Sequence, residues 1–279
     1  MPFLKRDDIL KRLRESIAAG KPILGCGAGT GISAKFAEKG GADILIIYNS
    51  GRFRMAGRGS LAGLLPYGDA NAIVVEMGSE VLTVVKDTPV LAGVCGTDPF
   101  RLMQVFLKEL KEMGFDGVQN FPTVGVMDGT FRQNLEETGF GYDLEVEMIH
   151  QAHKLDMITC PYVFDVQEAK KMTRAGADII VAHMRTTQKG SIGAKTTMSL
   201  EEAARKVQEI QDAARSINKD VIVICHGGPI ADPEDAQFIF EHTTGIDGFF
   251  GASSIERLAT ETAIENKTAE FKKLNLRHR

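Results

Sequence analysis

PILGCGAGTGISAKFAEKGGADILII, residues 22–47, holds an apolar run, a glycine-rich turn, an amphipathic helix, a Gly-Gly stop and a second apolar run. That order is a β-α-β unit, two parallel strands joined by a helix. The glycines after the helix are the left-handed cap that turns the chain back into the sheet. The same device recurs in EMGFDGVQN (112–120) and RAGADIIVA (174–182). Several α/β folds contain such units, and the number of units separates them.

Eight runs of strand length are predicted: Ile23–Cys26, Ile44–Tyr48, Val90–Cys95, Gly117–Phe121, Met157–Pro161, Ile179–His183, Val221–Cys225 and Gly248–Gly251. Eight β/α units match a single α/β (β/α)8 TIM barrel of roughly 250 residues, whereas an open doubly wound sheet carries fewer strands and a reversal of order. With 279 residues and 43% hydrophobic content, one domain over 1–279 is expected. It has an extra N-terminal helix and long loops after strands two and six. The first loop, SGRFRMAGRGSLAGLLPYGDAN, brings Arg52, Arg54 and Arg58, able either to close over an anion or to pack on a neighbouring subunit; the second is RTTQKGSIGAKTTM.

The opening stretch is not a dinucleotide fingerprint. That motif needs G-x-G-x-x-G and an acid at the end of the second strand. Counted from Gly25 the sixth position is Thr30, and strand two ends Ile47-Tyr48-Asn49-Ser50. No NAD is expected. No lysine ends a predicted strand, which disfavours Schiff-base chemistry, and no pyridoxal phosphate (PLP) is expected. The glycines around Gly27 either make a tight turn or bring backbone amides to a ligand.

The net charge of −4, without a long like-charge block, argues against a nucleic-acid partner. No apolar run reaches the roughly 20 residues that cross a bilayer, and no secretory segment is seen, so a cytoplasmic protein without a membrane partner is expected. Four cysteines without a CxxC pair are expected to be reduced thiols. Cys26, Cys95, Cys160 and Cys225 lie at like heights on alternate strands; they either form one layer of the barrel or are buried and never meet.

Barrel chemistry sits at the C-terminal ends of the strands. There, Gly227-Gly228 after strand seven and Gly251-Ala252-Ser253-Ser254 after strand eight have the form of a phosphate cradle, or of plain tight turns. Arg185 is either a bidentate carboxylate ligand or a surface ion pair. His183 and His226 end neighbouring strands and are candidates for proton transfer, or structural residues. Of the two, His183 is expected to carry the proton and His226 to meet phosphate as a cation. Asp98, in GTDPF, either caps a helix or serves as acid or Mg2+ ligand. Gly27, Asn49, Ser50 and Asn120 complete the candidate substrate-binding rim.

GCGAGTGISAKFAEKGGAD, YNSGRFRMAGRGSLAGLLPYGDAN, FPTVGVMDGTFRQNLEETGFGYDLEVEMI and VICHGGPIADPEDAQ together resemble the phosphoenolpyruvate hydrolase-like barrels. This family is grouped with the phosphoenolpyruvate mutase and isocitrate lyase superfamily, and is also met as the C-terminal barrel of a plant tobamovirus-resistance protein. The resemblance covers residues 5–275. It implies a TIM barrel, a homo-oligomer, and a small anionic substrate such as phosphonopyruvate or phosphoenolpyruvate. The mutases and lyases carry several Mg2+ carboxylates after strands two to four and a catalytic loop with Lys and Cys. Here those strands end in Asn49, Asp98 and Asn120, and GSIGAK has no cysteine.

Two functions follow as expectations. One is a hydrolase or lyase that cleaves a C–P or C–O bond next to a carboxylate. The other is a non-catalytic, anion-binding barrel that acts as a sensor or interaction module. The C-terminal LATETAIENKTAEFKKL is long enough for about five helical turns, and the resembled superfamily packs or exchanges this helix between subunits. Light scattering at micromolar concentration is expected to give a multiple of the chain mass, and a monomer would reject the oligomer.

Overall fold

The computed structural model describes residues 4–195 and 198–276. After helix α1 (Arg6–Ala18) come β1 (Ile23–Ala28), α2 (Gly31–Lys39), β2 (Ile44–Ile47) and α3 (Asn49–Met55). A 3-10 turn (Ser60–Leu64) and α4 (Ala70–Val81) lead to β3 (Val90–Gly93), α5 (Met103–Met113) and β4 (Gly117–Gln119). Next are α6 (Gly129–Glu137), α7 (Tyr142–Lys154), β5 (Ile158–Thr159), β6 (Tyr162–Val163) and α8 (Val166–Arg174). The chain continues through β7 (Ile179–His183), α9 (Leu200–Arg215), β8 (Ile222–His226), α10 (Pro233–His242) and β9 (Gly248–Gly251). A π-helical turn (Ser253–Arg257) runs into α11 (Leu258–Lys272).

All bonded neighbours are parallel, in the order β5-β4-β3-β2-β1-β9-β8-β7-β6. The ends of that order, β5 and β6, are one barrel stave interrupted at Cys160-Pro161. Pro161 has no N–H to give a ladder, so pairing breaks there. Cys160 N–H still donates to Val118 O on one side, and Pro161 O accepts from Val181 N–H on the other. Nine strands thus make eight staves, and the (β/α)8 barrel read from the eight apolar runs is the fold observed. Strands β2, β3, β7 and β8 are buried along their whole length. Their near-continuous apolar runs fit staves covered by helices outside and by other staves inside.

Two expectations about loops change. The segment after β2 is ordered as α3 and the 3-10 turn, and Arg54 points into the chain rather than toward a ligand or a second subunit. The segment after β7 does run without regular structure to residue 195; residues 196 and 197 of that predicted loop lie outside the described ones. No helix among the described residues is long and apolar enough to cross a membrane.

The N-terminal end of the barrel is held by a repeated device. Asp43, Asp116, Asp178 and Asp247 each stand just before a stave, at every second position around the barrel. Each takes a backbone N–H of the preceding stave on its carboxylate: Leu24 at 2.8 Å, Val90 at 3.0 Å, Thr159 at 3.0 Å and Val223 at 2.8 Å. Each returns its own N–H to the carbonyl of the same residue, at 2.9, 2.9, 3.1 and 2.8 Å. Helix α1 closes this end, with Ile9, Leu10 and Leu13 buried and Arg6 paired to Asp178 through two bonds. Leu4 N–H also reaches Asp116.

Replacing Asp116 by Ala leaves the Val90 N–H buried without an acceptor. The expected cost is about 1–3 kcal/mol, or roughly 2–4 °C of melting temperature per kcal/mol for a chain of this size. Thermal unfolding checks it, and an unchanged midpoint would show that the locks are dispensable.

Candidate functional site

His183 and His226 are partners in the β7–β8 register, so their side chains leave the barrel wall side by side. Their rings are 4.5 Å apart and nearly perpendicular. Tyr162 fixes both, stacked on His226 at 5.4 Å and edge-on to His183 at 4.6 Å. Phe164 stacks on His183 at 4.7 Å, and Phe250 stands edge-on to His226 at 4.9 Å. Neither ring has freedom to turn.

Backbone contacts set the tautomers. The Arg185 N–H donates to His183 Nδ1 at 2.9 Å, so that nitrogen carries a lone pair and the hydrogen is on Nε2. His226 Nδ1 faces the Phe250 carbonyl at 2.7 Å and must donate to it, which leaves the lone pair on Nε2. Burial holds both rings neutral: His226 is lowered to about 4, and His183 falls well below its usual 6.5, first through desolvation and then through His226 and Arg185. His226 therefore does not meet an anion as a resident cation at neutral pH, as the sequence reading expected. Neither Nε2 has a protein partner among the described residues, and neither is sealed.

Both rings line a pocket of about 50 Å³ at the C-terminal mouth. Around it stand Tyr48, Ser60, Thr187, Arg185 and Ser253, with Ala252 also in the wall. Arg185 is half-exposed, held by Val126 O at 2.8 Å and by Asp128 at 3.3 Å. Its φ of 68° is unusual for a side-chain-bearing residue. The strain is held by two bonds, its N–H to His183 and its carbonyl to Gly228 N–H at 2.9 Å.

His183, His226, Arg185, Ala252 and Ser253 are thus brought together, and the other candidates are not. Gly228 uses its amide on Arg185 O, while Gly227 O accepts from Ile230 N–H, so this turn satisfies itself. Gly251 packs against Ile255, and Ser254 lies behind Ser253, outside the pocket wall. Asn49 Nδ2 donates to Gly63 O and Ser50 Oγ to Ser60 O, at 2.8 and 2.6 Å. These two pin the 3-10 turn that carries Ser60 over the mouth. Asn120 is fully buried, donating to Glu145 at 2.6 Å and accepting from Tyr162 N–H at 2.7 Å.

The glycine-rich turn of the opening stretch is closed by the protein's own carboxylates. Gly29 N–H donates to Glu256 Oε1 and Gly31 N–H to Glu80 Oε1, both at 2.5 Å. A Cβ on Gly29 would stand 2.1 Å from Gly51 O, and one on Gly27 would stand 2.9 Å from Ala252 Cβ. Close packing of β1 on α3 and β9 is what requires these glycines. Arg54 joins the same knot, with Nε and NH2 on Glu256 Oε2 at 3.0 and 2.8 Å, both side chains almost fully buried.

The four thiols do not share a layer. His226 faces inward, so Cys225 faces the helices, its thiol 3.5 Å from Gly248 O. Cys26 sits between Gly25 and Gly27, whose Cβ positions point at the inward Phe250 and Ala252, and so it also faces out. Burial raises the Cys26, Cys160 and Cys225 thiols, to about 12 for Cys26 and Cys225.

Magnesium does not fit the residues present. Among the described residues no three His, Cys, Asp or Glu gather into a metal-binding group. Asp98 accepts from Asn71 Nδ2, Phe100 N–H and Arg101 Nε at 2.9, 2.9 and 3.0 Å, and lines a neighbouring cleft rather than the histidine pocket. After β2 and β4 stand amides, not the hard anionic oxygens that Mg2+ prefers.

Sequence reasoning placed the histidines because strand ends are readable. It placed Tyr162 at the rim after the fifth strand without giving it a role, and it missed Ser60 and Thr187, whose loops show no periodicity. Glu145, on α7, was missed as well. It is fully buried, accepts from Asn120, Thr123 and Val124, and is raised by burial to about 8.

The family model of phosphoenolpyruvate hydrolase-like proteins matches residues 8–274. The ToMV resistance protein Tm-1 and the ToMV susceptible protein tm-1, both of Solanum lycopersicum, are each 62% identical over 272 residues. The match covers 98% of this chain and 36% of either relative's length. Among solved structures, phosphonopyruvate hydrolase complexed with oxalate and Mg2+ superposes with a TM-score of 0.59 at 15% identity. That match covers 95% of this chain and 87% of the other. A 2,3-dimethylmalate lyase gives 0.60 at 17%, covering 98% and 86%. At such identity these structures share the fold.

Glu145 makes a pH prediction. Its folded pKa lies above the ordinary 4.5, so the folded state keeps a proton that the unfolded chain has released. This contribution is complete below pH 4.5 and is lost as pH rises through about 8. Melting temperature is expected to fall between pH 6.5 and 8.5, and Glu145→Gln is expected to flatten that slope. An identical slope in the variant would remove Glu145 as the cause.

Proposed function

We propose, for a chain that belongs to the phosphoenolpyruvate hydrolase-like family, that the mouth pocket takes a small phospho- or phosphono-keto acid and breaks the C–P or C–O bond beside its carboxylate. The observation that carries this reading is the pair of neutral imidazoles, His183 and His226, each with a free Nε2 at one small pocket. Arg185 is placed to hold a carboxylate, and the hydroxyls of Ser60, Thr187 and Ser253 to meet a phosphate group. That role passes to the hydroxyls because the Gly228 amide is committed to Arg185 O.

In this reading the lone pair of His226 takes a proton from an attacking water. For C–P cleavage, where water attacks phosphorus and pyruvate leaves as its enolate, the His183 N–H donates to the oxygen on which that negative charge grows. No step is routed through a metal, because the described residues supply no cage for one. A pocket of about 50 Å³ holds on the order of four waters at roughly 10–15 Å³ each. A phosphorylated acid therefore enters only when the strap at 186–195 moves. That strap is tied down by Lys189 on Asp232 and Asp235, and by Ser191 on Glu261. Exposed Ile264 and Phe271 on α11, a helix that buries none of its residues on its own barrel, support a homo-oligomer.

Phosphate release from phosphonopyruvate and from phosphoenolpyruvate, with and without added Mg2+, tests the proposal. Turnover is expected without the metal, falling about 100-fold or more in His226→Asn. Ligand binding with no turnover under any condition would favour the non-catalytic, anion-sensing barrel.

A further inference from the structure

We infer that the ligand of the mouth pocket carries an apolar, ring-sized body that lies in a neighbouring cleft, and that Leu64, which lines both spaces, selects for it. The substrate class is then an aryl-bearing phosphonate or phospho-keto acid rather than a bare three-carbon acid. The inference rests on the mouth pocket being the ligand site and adds to that reading the chemistry of the part the pocket does not hold.

Size carries the first step. A pocket of about 50 Å³, room for on the order of four waters, is filled by a phosphonate or carboxylate head alone. The rest of the ligand has to leave it. One way out runs under the strap at 186–195, which is tied down by Lys189 and Ser191. The other leads past Leu64 into a cleft of about 670 Å³, within the range that small-molecule sites occupy. Two chain segments pass from one space to the other. Leu64 lines both and Leu65 only the cleft, while Phe121 lines the pocket and Pro122 the cleft. At Leu64 the wall is therefore one residue thick. Leu64 ends the 3-10 turn that Asn49 and Ser50 pin through Gly63 O and Ser60 O, so two buried rim side chains set the position of this wall.

The lining of the cleft says what it takes. Leu65, Pro66, Phe100, Pro122 and Phe140 give it apolar walls; Phe100 is 96% exposed, and Leu65 and Phe140 are exposed beside it. Exposed apolar side chains gathered at a concave surface mark a binding site. The charges in the cleft are spent on each other. Arg101 pairs with Asp69 at 2.7 Å and with Asp98 at 3.0 Å, and Asp98 also takes the Asn71 amide and the Phe100 N–H. The cleft thus asks for no charged group, and its phenylalanines and prolines offer flat apolar faces to a ring. A small ligand is favoured over a protein surface because the cleft adjoins the ligand pocket and shares a residue with it.

The test compares benzylphosphonate and methylphosphonate, which share a head and differ by the ring, with benzyl alcohol, which has the ring and no such head. Binding is measured by calorimetry. Cys95, the one thiol of the four that is not buried, lies in the cleft and reports its occupancy through the rate of alkylation. Benzylphosphonate is expected to bind about 10-fold or more tightly than methylphosphonate, as the burial of a ring provides. It is also expected to slow Cys95 alkylation, which the other two compounds leave unchanged. Phe100→Ala, at a side chain too exposed to support the fold, and Leu64→Trp, which fills the passage, are each expected to bring the affinity ratio toward one. Should Leu64→Trp lose its cooperative thermal transition, Phe100→Ala and the Cys95 rate decide. Equal affinity for the two phosphonates overturns the inference and leaves the site reading standing. So does a ratio that Phe100→Ala leaves unchanged, or protection of Cys95 by benzyl alcohol equal to that by benzylphosphonate, which would make the cleft a separate site. Protection that rises with protein concentration in the absence of ligand overturns it by assigning the cleft to a second copy of the chain. No binding of either phosphonate overturns both the inference and the site reading.

Discussion

The reciprocal bonding of Asp43, Asp116, Asp178 and Asp247 with the staves before them fixes where each strand begins, and everything at the other end of the barrel depends on it. A slip of one residue between β7 and β8 would turn one histidine toward the helices, because side chains alternate along a strand. The pair exists because Ile179 stays opposite Ile222, four residues below His183 and His226. Asp178 and Asp247, which stand before β7 and β9 and grip β5 and β8, secure that register from both sides. Stability is invested at one end of the barrel and the candidate site lies at the other, the division this architecture favours.

Between the two ends, the broken fifth stave does the positioning. Pro161 interrupts pairing, and the freed backbone of Tyr162 is taken up by side chains: Asn120 on its N–H, and Tyr142 on its carbonyl at 2.6 Å. Glu145 in turn orients Asn120. The ring of Tyr162, so fixed, is the surface on which both imidazoles rest. A carboxyl on an outer helix is thus linked to the pocket through Asn120 and Tyr162 without lining it.

Much of this was legible in the sequence. Strand, glycine cap and strand recur with fixed spacing because the backbone demands them, and the stave order follows from chain order in a parallel barrel. His183 and His226 could be paired from strand ends alone. The four aspartates were printed in GGADI, GFDG, GADI and GIDG, yet their role depends on the stave before, which no local pattern names. Asn120 and Asp98 were indistinguishable from ligand-facing rim residues, because only the packing of α7 and the placement of Asn71 and Arg101 show how their polar atoms are engaged. Tautomers were beyond reach, being set by carbonyl and amide groups of residues 185 and 250.

The knot of Arg54, Glu256 and the Gly29 amide joins three parts of the chain that are far apart in sequence: the first turn, α3 and the turn after β9. Both charges lie almost entirely out of water, where either one alone is far costlier than the pair or than an apolar replacement of both. Removing either side chain alone strands the other charge out of water, and removing Glu256 also strands the Gly29 amide.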